Sequence, residues 1–212
     1  MIKTIELIID ENMELSGIDA VSIVENPAIE ENFITLKEQK EYKFAEVSKD
    51  KKIIMGALLV PDKLIYRRDD ANGEYNIYFS QDTIRQCMEL FFKNGNQNNA
   101  TFEHEQEVQG LTMIESWIVE DLDKDKSKLY NLNVPIGTWM GTMKINNEVI
   151  WNDFIKTGKV KGFSIEGYFA DKAKLSKIKV DELTEEEIEI EREIEAGLQL
   201  LEIKNWLKNN GY

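Results

Sequence analysis

The sequence predicts an α+β fold: a strand-rich domain over residues 51–170, with a helix in the C-terminal segment 171–212. Three observations predict it. Short apolar or alternating runs recur along 51–170, divided by Gly, Pro and Asn turns, which is the punctuation of strands. One stretch breaks that pattern, because Ile84, Cys87, Met88 and Phe91 fall at helical spacing. Beyond residue 170 glutamates crowd one end of a segment and lysines the other, matching a helix dipole.

Residues 1–50 read as an N-terminal arm. Ile5, Leu7 and Ile9 alternate with polar residues, as in a short strand. Val21-Ser22-Ile23-Val24 runs into Asn26-Pro27, where the proline ends any strand. Lys37 to Lys43 is a charged, exposed stretch. In the main domain, Ile53 to Val60 is a buried strand closed by Pro61-Asp62. Asn76 to Phe79 is another strand, after a turn at Asn72-Gly73. Ser80 caps the helix carrying Cys87, and Gly95 ends it. Thr101–Val108 and Met113–Glu120 flank Gln109-Gly110 and read as a hairpin. Tyr130 to Val134 alternates up to Pro135, and Gly137 to Ile145 is a further strand. Trp151, Phe154 and Ile155 suit a short helix ended by Gly158, and Gly162 to Phe169 is a strand between glycines. In the tail, Thr184-Glu185-Glu186-Glu187 is a capping box. With the stripe Ile190, Ile194, Leu198 and Leu201, it predicts an amphipathic helix of roughly 25 residues.

Composition excludes several functions. The 212 residues carry 26 Lys+Arg against 40 Asp+Glu, a formal net charge of −14. That opposes a nucleic-acid partner, which needs cationic surface to displace counterions, and opposes docking on an anionic membrane. No apolar run approaches the ~20 residues of a membrane span. The N-terminus lacks a signal peptide's apolar region, so a reducing cytoplasm is expected. Cys87 is the one cysteine and His104 the one histidine, so Cys/His zinc sites and internal disulfides are impossible. No phosphate-cradling glycine motif occurs, and neither a cofactor nor a metal is expected. A carboxylate-only cation module is the weakest reading.

Acid–base chemistry of the usual histidine kind has only His104, within Phe102-Glu103-His104-Glu105. The bland alternative is a solvated strand histidine among carboxylates. A metal reading of that run fails, because neighbours on a strand point to opposite faces. Ser164 lies in Gly162-Phe163-Ser164-Ile165-Glu166-Gly167, where alternation puts Ser164 and Glu166 on one face. The second glycine comes one residue late for a hydrolase nucleophile elbow. A serine there is a nucleophile only if a base reaches it. If Gln109-Gly110 closes a two-residue hairpin, Glu115 faces His104 and could orient the imidazole. Slippage by one residue would remove it, and Glu166 and Asp171 are the alternatives. An ordinary surface carboxylate is as good a reading of Glu115. Cys87 and the tryptophans at 117, 139 and 151 read as core.

These segments, in this order, resemble the tailed-phage prohead (capsid-maturation) serine proteases, in particular the phage serine protease group of Gram-positive prophages. The resemblance is carried by Ala20 to Ile29, Gly56 to Pro61 with Ile65-Tyr66-Arg67, and His104. It continues through Ile114 to Val119, Pro135 to Gly141, Trp151, Ile155 to Gly158 and Gly162 to Gly167, spanning roughly 18–170. It implies a fold like that of the herpesvirus assemblins, a mostly antiparallel β-barrel with surrounding helices. It implies Ser164 as nucleophile and His104 as base. The third assemblin residue is a second histidine, absent here, so a carboxylate would serve or the dyad would act alone. The implied partners are the phage scaffolding protein and major capsid protein, with self-association, inside the prohead in the bacterial host cytoplasm. The rival reading is a non-enzymatic capsid or scaffold component of the same fold.

Overall fold

The computed structural model describes residues 2–10, 16–27, 45–48, 52–70 and 73–175. The stretch Lys37–Lys43 and the helix expected from Thr184 lie outside the described residues. The chain divides into two compact units, Met1–Asp171 and Lys172–Tyr212.

Among the described residues, twelve strands and two α-helices run in the order β1 (Lys3–Ile8), β2 (Gly17–Val24), β3 (Ala45–Ser48), β4 (Ile53–Leu59), β5 (Ile65–Asp69), β6 (Gly73–Phe79), α1 (Gln81–Lys93), β7 (Ala100–Phe102), β8 (Gln106–Glu107), β9 (Leu111–Ile118), α2 (Lys126–Leu129), β10 (Trp139–Ile145), β11 (Gly162–Tyr168) and β12 (Ala170–Asp171). The strands form three four-stranded sheets, ordered β12-β1-β6-β5, β3-β4-β10-β9 and β11-β2-β7-β8. Antiparallel pairing dominates, and only β1–β6 and β2–β7 are parallel among the described residues. The mixed α+β class is therefore as expected. The barrel is not: closure requires every strand to have two neighbours, and each of these sheets ends in two edge strands. The first fifty residues are also more than an arm, since β1 and β2 are inner strands of two sheets.

The apolar runs form the core for the reasons their spacing suggests. In α1, Ile84, Cys87 and Phe91 recur on one face and are buried. Ser80 caps the helix by accepting the Thr83 N–H at 3.4 Å, and Gly95 turns the chain away at φ +77°. The Phe91 and Trp139 rings meet edge to face at 5.6 Å, and the Trp139 indole N–H donates to Ser116 Oγ at 2.7 Å. Trp151, on a π-helical turn over Ile150–Ile155, joins the same core. A smaller core gathers Met55, Val119, Val134 and Met140, with half-buried Trp117 against it.

Two expectations fail locally. Tyr130–Val134 alternates but forms no strand. Asn131 adopts φ +58° and Leu132 N–H returns to the Ser127 carbonyl at 3.0 Å, closing a turn behind α2. The hairpin about Gln109-Gly110 does not form either. β7 turns back into β8 at 103–105, pairing Thr101 with Glu107 and Phe102 with Gln106. β9 then pairs with β10, which sets Glu115 opposite Thr142. Gly110 serves that second ladder, because its carbonyl accepts from Asn146 N–H at 2.7 Å.

Candidate active site

The sheet β11-β2-β7-β8 brings the candidate residues together. Pairing sets Ser164 opposite Ser22, and Ser22 beside Thr101. Directly paired residues share a face, so three hydroxyls form a row across the sheet. Glu166 lies two residues along β11 from Ser164, on that same face.

His104 reaches this face from a tight turn rather than from a strand. Glu105 N–H donates to the Phe102 carbonyl at 3.1 Å. Glu103 and His104 take φ +52° and +60°, the pattern of a type I′ turn. Such turns favour Gly, Asn or Asp at both central positions. A glutamate and a histidine there are strained, and strain of this kind persists only where the surroundings over-determine it. Glu103 N–H donates to the Ile23 carbonyl at 3.2 Å and His104 N–H to Ser22 Oγ at 3.0 Å.

From this turn His104 Nδ1 approaches Glu166 Oε1 at 3.1 Å. An ionised carboxylate can only accept, so Nδ1 carries the proton of this bond and Nε2 is left as the basic nitrogen. The same Glu166 oxygen accepts the Thr101 hydroxyl. The His104 and Glu166 side chains are 28% and 30% exposed, screened on one side yet open to a substrate. Among the described residues no hydrogen bond joins Ser164 Oγ to His104. Such bonds are often long without substrate. Residues two apart on a strand are separated by roughly 6.6 Å. An imidazole with a hydrogen bond of about 3 Å at each nitrogen spans a comparable distance.

The close packing of β11 on β2 depends on glycine. A Cβ on Gly167 would lie 2.0 Å from the Gly17 carbonyl oxygen, and the ladder shifts register between Glu166 and Gly167. This bulge sits directly after the carboxylate that meets His104, a common place for bulges to re-aim a side chain.

Glu115 stands elsewhere. It is bonded to Lys126, whose ammonium holds its carboxyl below the ordinary carboxylate range. The expected contact with His104 is absent because the hairpin register that would create it does not form. Asp171, the other alternative, pairs with Leu7 and lies 4.0 Å from the Lys3 ammonium. Glu166 is thus the carboxylate on the imidazole. Cys87 is fully buried, and burial pushes its thiol up to about 12, so it is inert core. Among the described residues no cluster of three His, Cys, Asp or Glu could hold a metal, and no helix is long and apolar enough to cross a membrane.

Sequence reasoning passed over Ser22 and Thr101. The signal was present: Ser22 is a lone hydroxyl within the apolar run Val21–Val24, and a buried polar group requires a partner.

A hydroxyl, an imidazole and a carboxylate on one sheet face are the components of a serine hydrolase, with the imidazole as base and the carboxylate orienting it. The family comparison agrees in class. The chain belongs to the family described as "Putative phage serine protease XkdF", whose model matches residues 42–173. No curated protein and no solved structure matches the chain.

Proposed function

We propose that the protein is a serine endopeptidase that cleaves scaffold and capsid-protein segments during phage prohead maturation. Ser164 is its nucleophile, His104 its base and Glu166 the orienting carboxylate. The observation that carries this reading is the contact of the sole histidine with Glu166 on the face that holds Ser164. Family membership supports the protease class.

In the proposed reaction His104 Nε2 takes the Ser164 proton as Oγ attacks the peptide carbonyl. The tetrahedral intermediate collapses when the imidazolium returns that proton to the leaving amine. Water, deprotonated by the same nitrogen, then releases the acyl group from Ser164. Glu166 stabilises the imidazolium in both halves. The assemblins would share this chemistry with a second histidine as third member, where this chain would use a carboxylate. The proposed setting is the prohead interior in the host cytoplasm.

Co-expression with the neighbouring scaffold and capsid proteins tests the reading. Wild type should shorten them, as read by intact-mass spectrometry, and Ser164→Ala should leave them whole. Equal processing by both removes the protease reading. A wild type that assembles with them and cleaves nothing favours a non-enzymatic capsid component.

A further inference from the structure

We propose that Ser22 positions His104: its hydroxyl holds the strained turn that aims the imidazole at Glu166. The proposal rests on the reading of His104 as the catalytic base, and adds a residue outside the Ser164, His104 and Glu166 set.

The second half of β2 is otherwise apolar. Val21, Ile23 and Val24 are buried around Ser22, which is itself fully buried. A hydroxyl in that place must find partners or weaken the sheet. Ser22 Oγ finds two, accepting His104 N–H at 3.0 Å and donating to the Thr101 carbonyl at 3.5 Å. It therefore ties the histidine's backbone to β7, whose Thr101 side chain in turn donates to Glu166. One hydroxyl thus connects both ends of the His104–Glu166 contact.

The turn needs such a tie. Glu103 and His104 both occupy left-handed backbone conformations that non-glycine residues adopt at a cost. Three contacts from β2 and the residue after it hold them there. The Ile23 carbonyl accepts Glu103 N–H, and Glu25 N–H donates to Glu103 Oε1 at 2.6 Å. Ser22 supplies the third, and it alone grips His104 itself. It is also the only one of the three made by a β2 side chain, so substitution can remove it and leave the strand's backbone pairing in place. Ser22 touches no reacting atom, and its effect passes through His104.

A single histidine makes the test direct, because one imidazole signal reports His104 whether or not the protein cleaves anything. The full chain, labelled with 15N, is compared as wild type, Ser22→Ala and Ser22→Thr at a pH where the imidazole is neutral. Wild type should show the Nδ1–H tautomer. Ser22→Ala should show mixed tautomers, with kcat on a scaffold-derived peptide lowered about 10²-fold and KM unchanged, the scale of a small misplacement. Ser22→Thr keeps the hydroxyl and should restore both. If Ser22→Ala does not fold, Ser22→Cys, close in size but a weak acceptor, replaces it with the same expected results. A Ser22→Ala protein with the wild-type tautomer and kcat, even with a lower Tm, overturns the proposal. If wild type cleaves no scaffold or capsid peptide while Ser22→Ala still scrambles the tautomer, the positioning role stands and the protease reading falls.

Discussion

The sheets β11-β2-β7-β8 and β3-β4-β10-β9 have the same strand count and opposite interiors. In the second, β4 and β10 are buried almost throughout and carry Ile54, Met55, Trp139, Met140 and Met143. Glu115 on β9 is paired with Lys126, the first residue of α2, an arrangement common on protein surfaces. In the first, buried Ser22 and Thr101 interrupt the apolar pattern, two residues of one turn are left-handed, and Gly167 admits the Gly17 carbonyl. The second sheet follows the rules of stable packing apart from Thr142, buried on β10 opposite Glu115. The first departs from them at three neighbouring places, all of which meet at His104 or Glu166. Departures that cluster where the proposed catalytic side chains converge are expected of functional sites.

The strongest way to break this contrast is to remove the site's chemistry. Ser164→Ala and His104→Ala should each lower cleavage of a scaffold-derived peptide by roughly 10⁴-fold or more, and the double variant should be no worse, because nucleophile and base act as a unit. Both positions are partly solvated. Thermal melts should therefore move little, since surface-like changes stay within about 0.5 kcal/mol.

Exchanging the two carboxylates sharpens the comparison next. Glu166→Gln should cost roughly 10²–10⁴-fold in kcat, through the wrong tautomer and an unstabilised imidazolium. Glu115→Gln should leave kcat unchanged. The reverse result, measured on the same peptide, would move the site to the other sheet.

Cys87 tests whether a nucleophile exists outside the site sheet. A thiol raised from 9.0 to about 12 holds roughly a thousandth of the ordinary thiolate. Iodoacetamide at pH 8 should label native protein about a thousandfold more slowly than unfolded protein, and Cys87→Ser should retain activity. Rapid native labelling would show that α1 opens.

The smallest effect belongs to Glu115 and Lys126. The carboxyl's folded pKa lies below its unfolded value, so its contribution is present above the unfolded pKa and lost as pH falls through the folded one. The pair is largely exposed and worth only about 0.2–1 kcal/mol. Urea unfolding of Glu115→Gln should therefore differ from wild type by that amount at pH 7 and converge with it in strong acid. High salt should shrink the pH 7 difference.

The sequence by itself determined the strand-rich class, the capped helix α1, the buried run of β4 and the core roles of Cys87, Trp139 and Trp151. Each follows from local periodicity, capping chemistry or side-chain size. Elimination also made His104 the only histidine base available, and alternation placed Ser164 and Glu166 on one face. The choice among Glu115, Glu166 and Asp171 was not local. It depended on where β7 turns back, and turn position is set by long-range hydrogen bonds from β2 that sequence spacing does not display. A type I′ turn at Glu103-His104 lacks its usual residues, so its sequence cue was missing. Likewise, open sheets rather than a closed barrel depend on which strand edges meet, and strands distant in sequence decide that. Tertiary structure alone therefore selected Glu166 and brought Ser22 beneath His104, because backbone groups on β2 and β7 compensate a turn that neither strand would form alone.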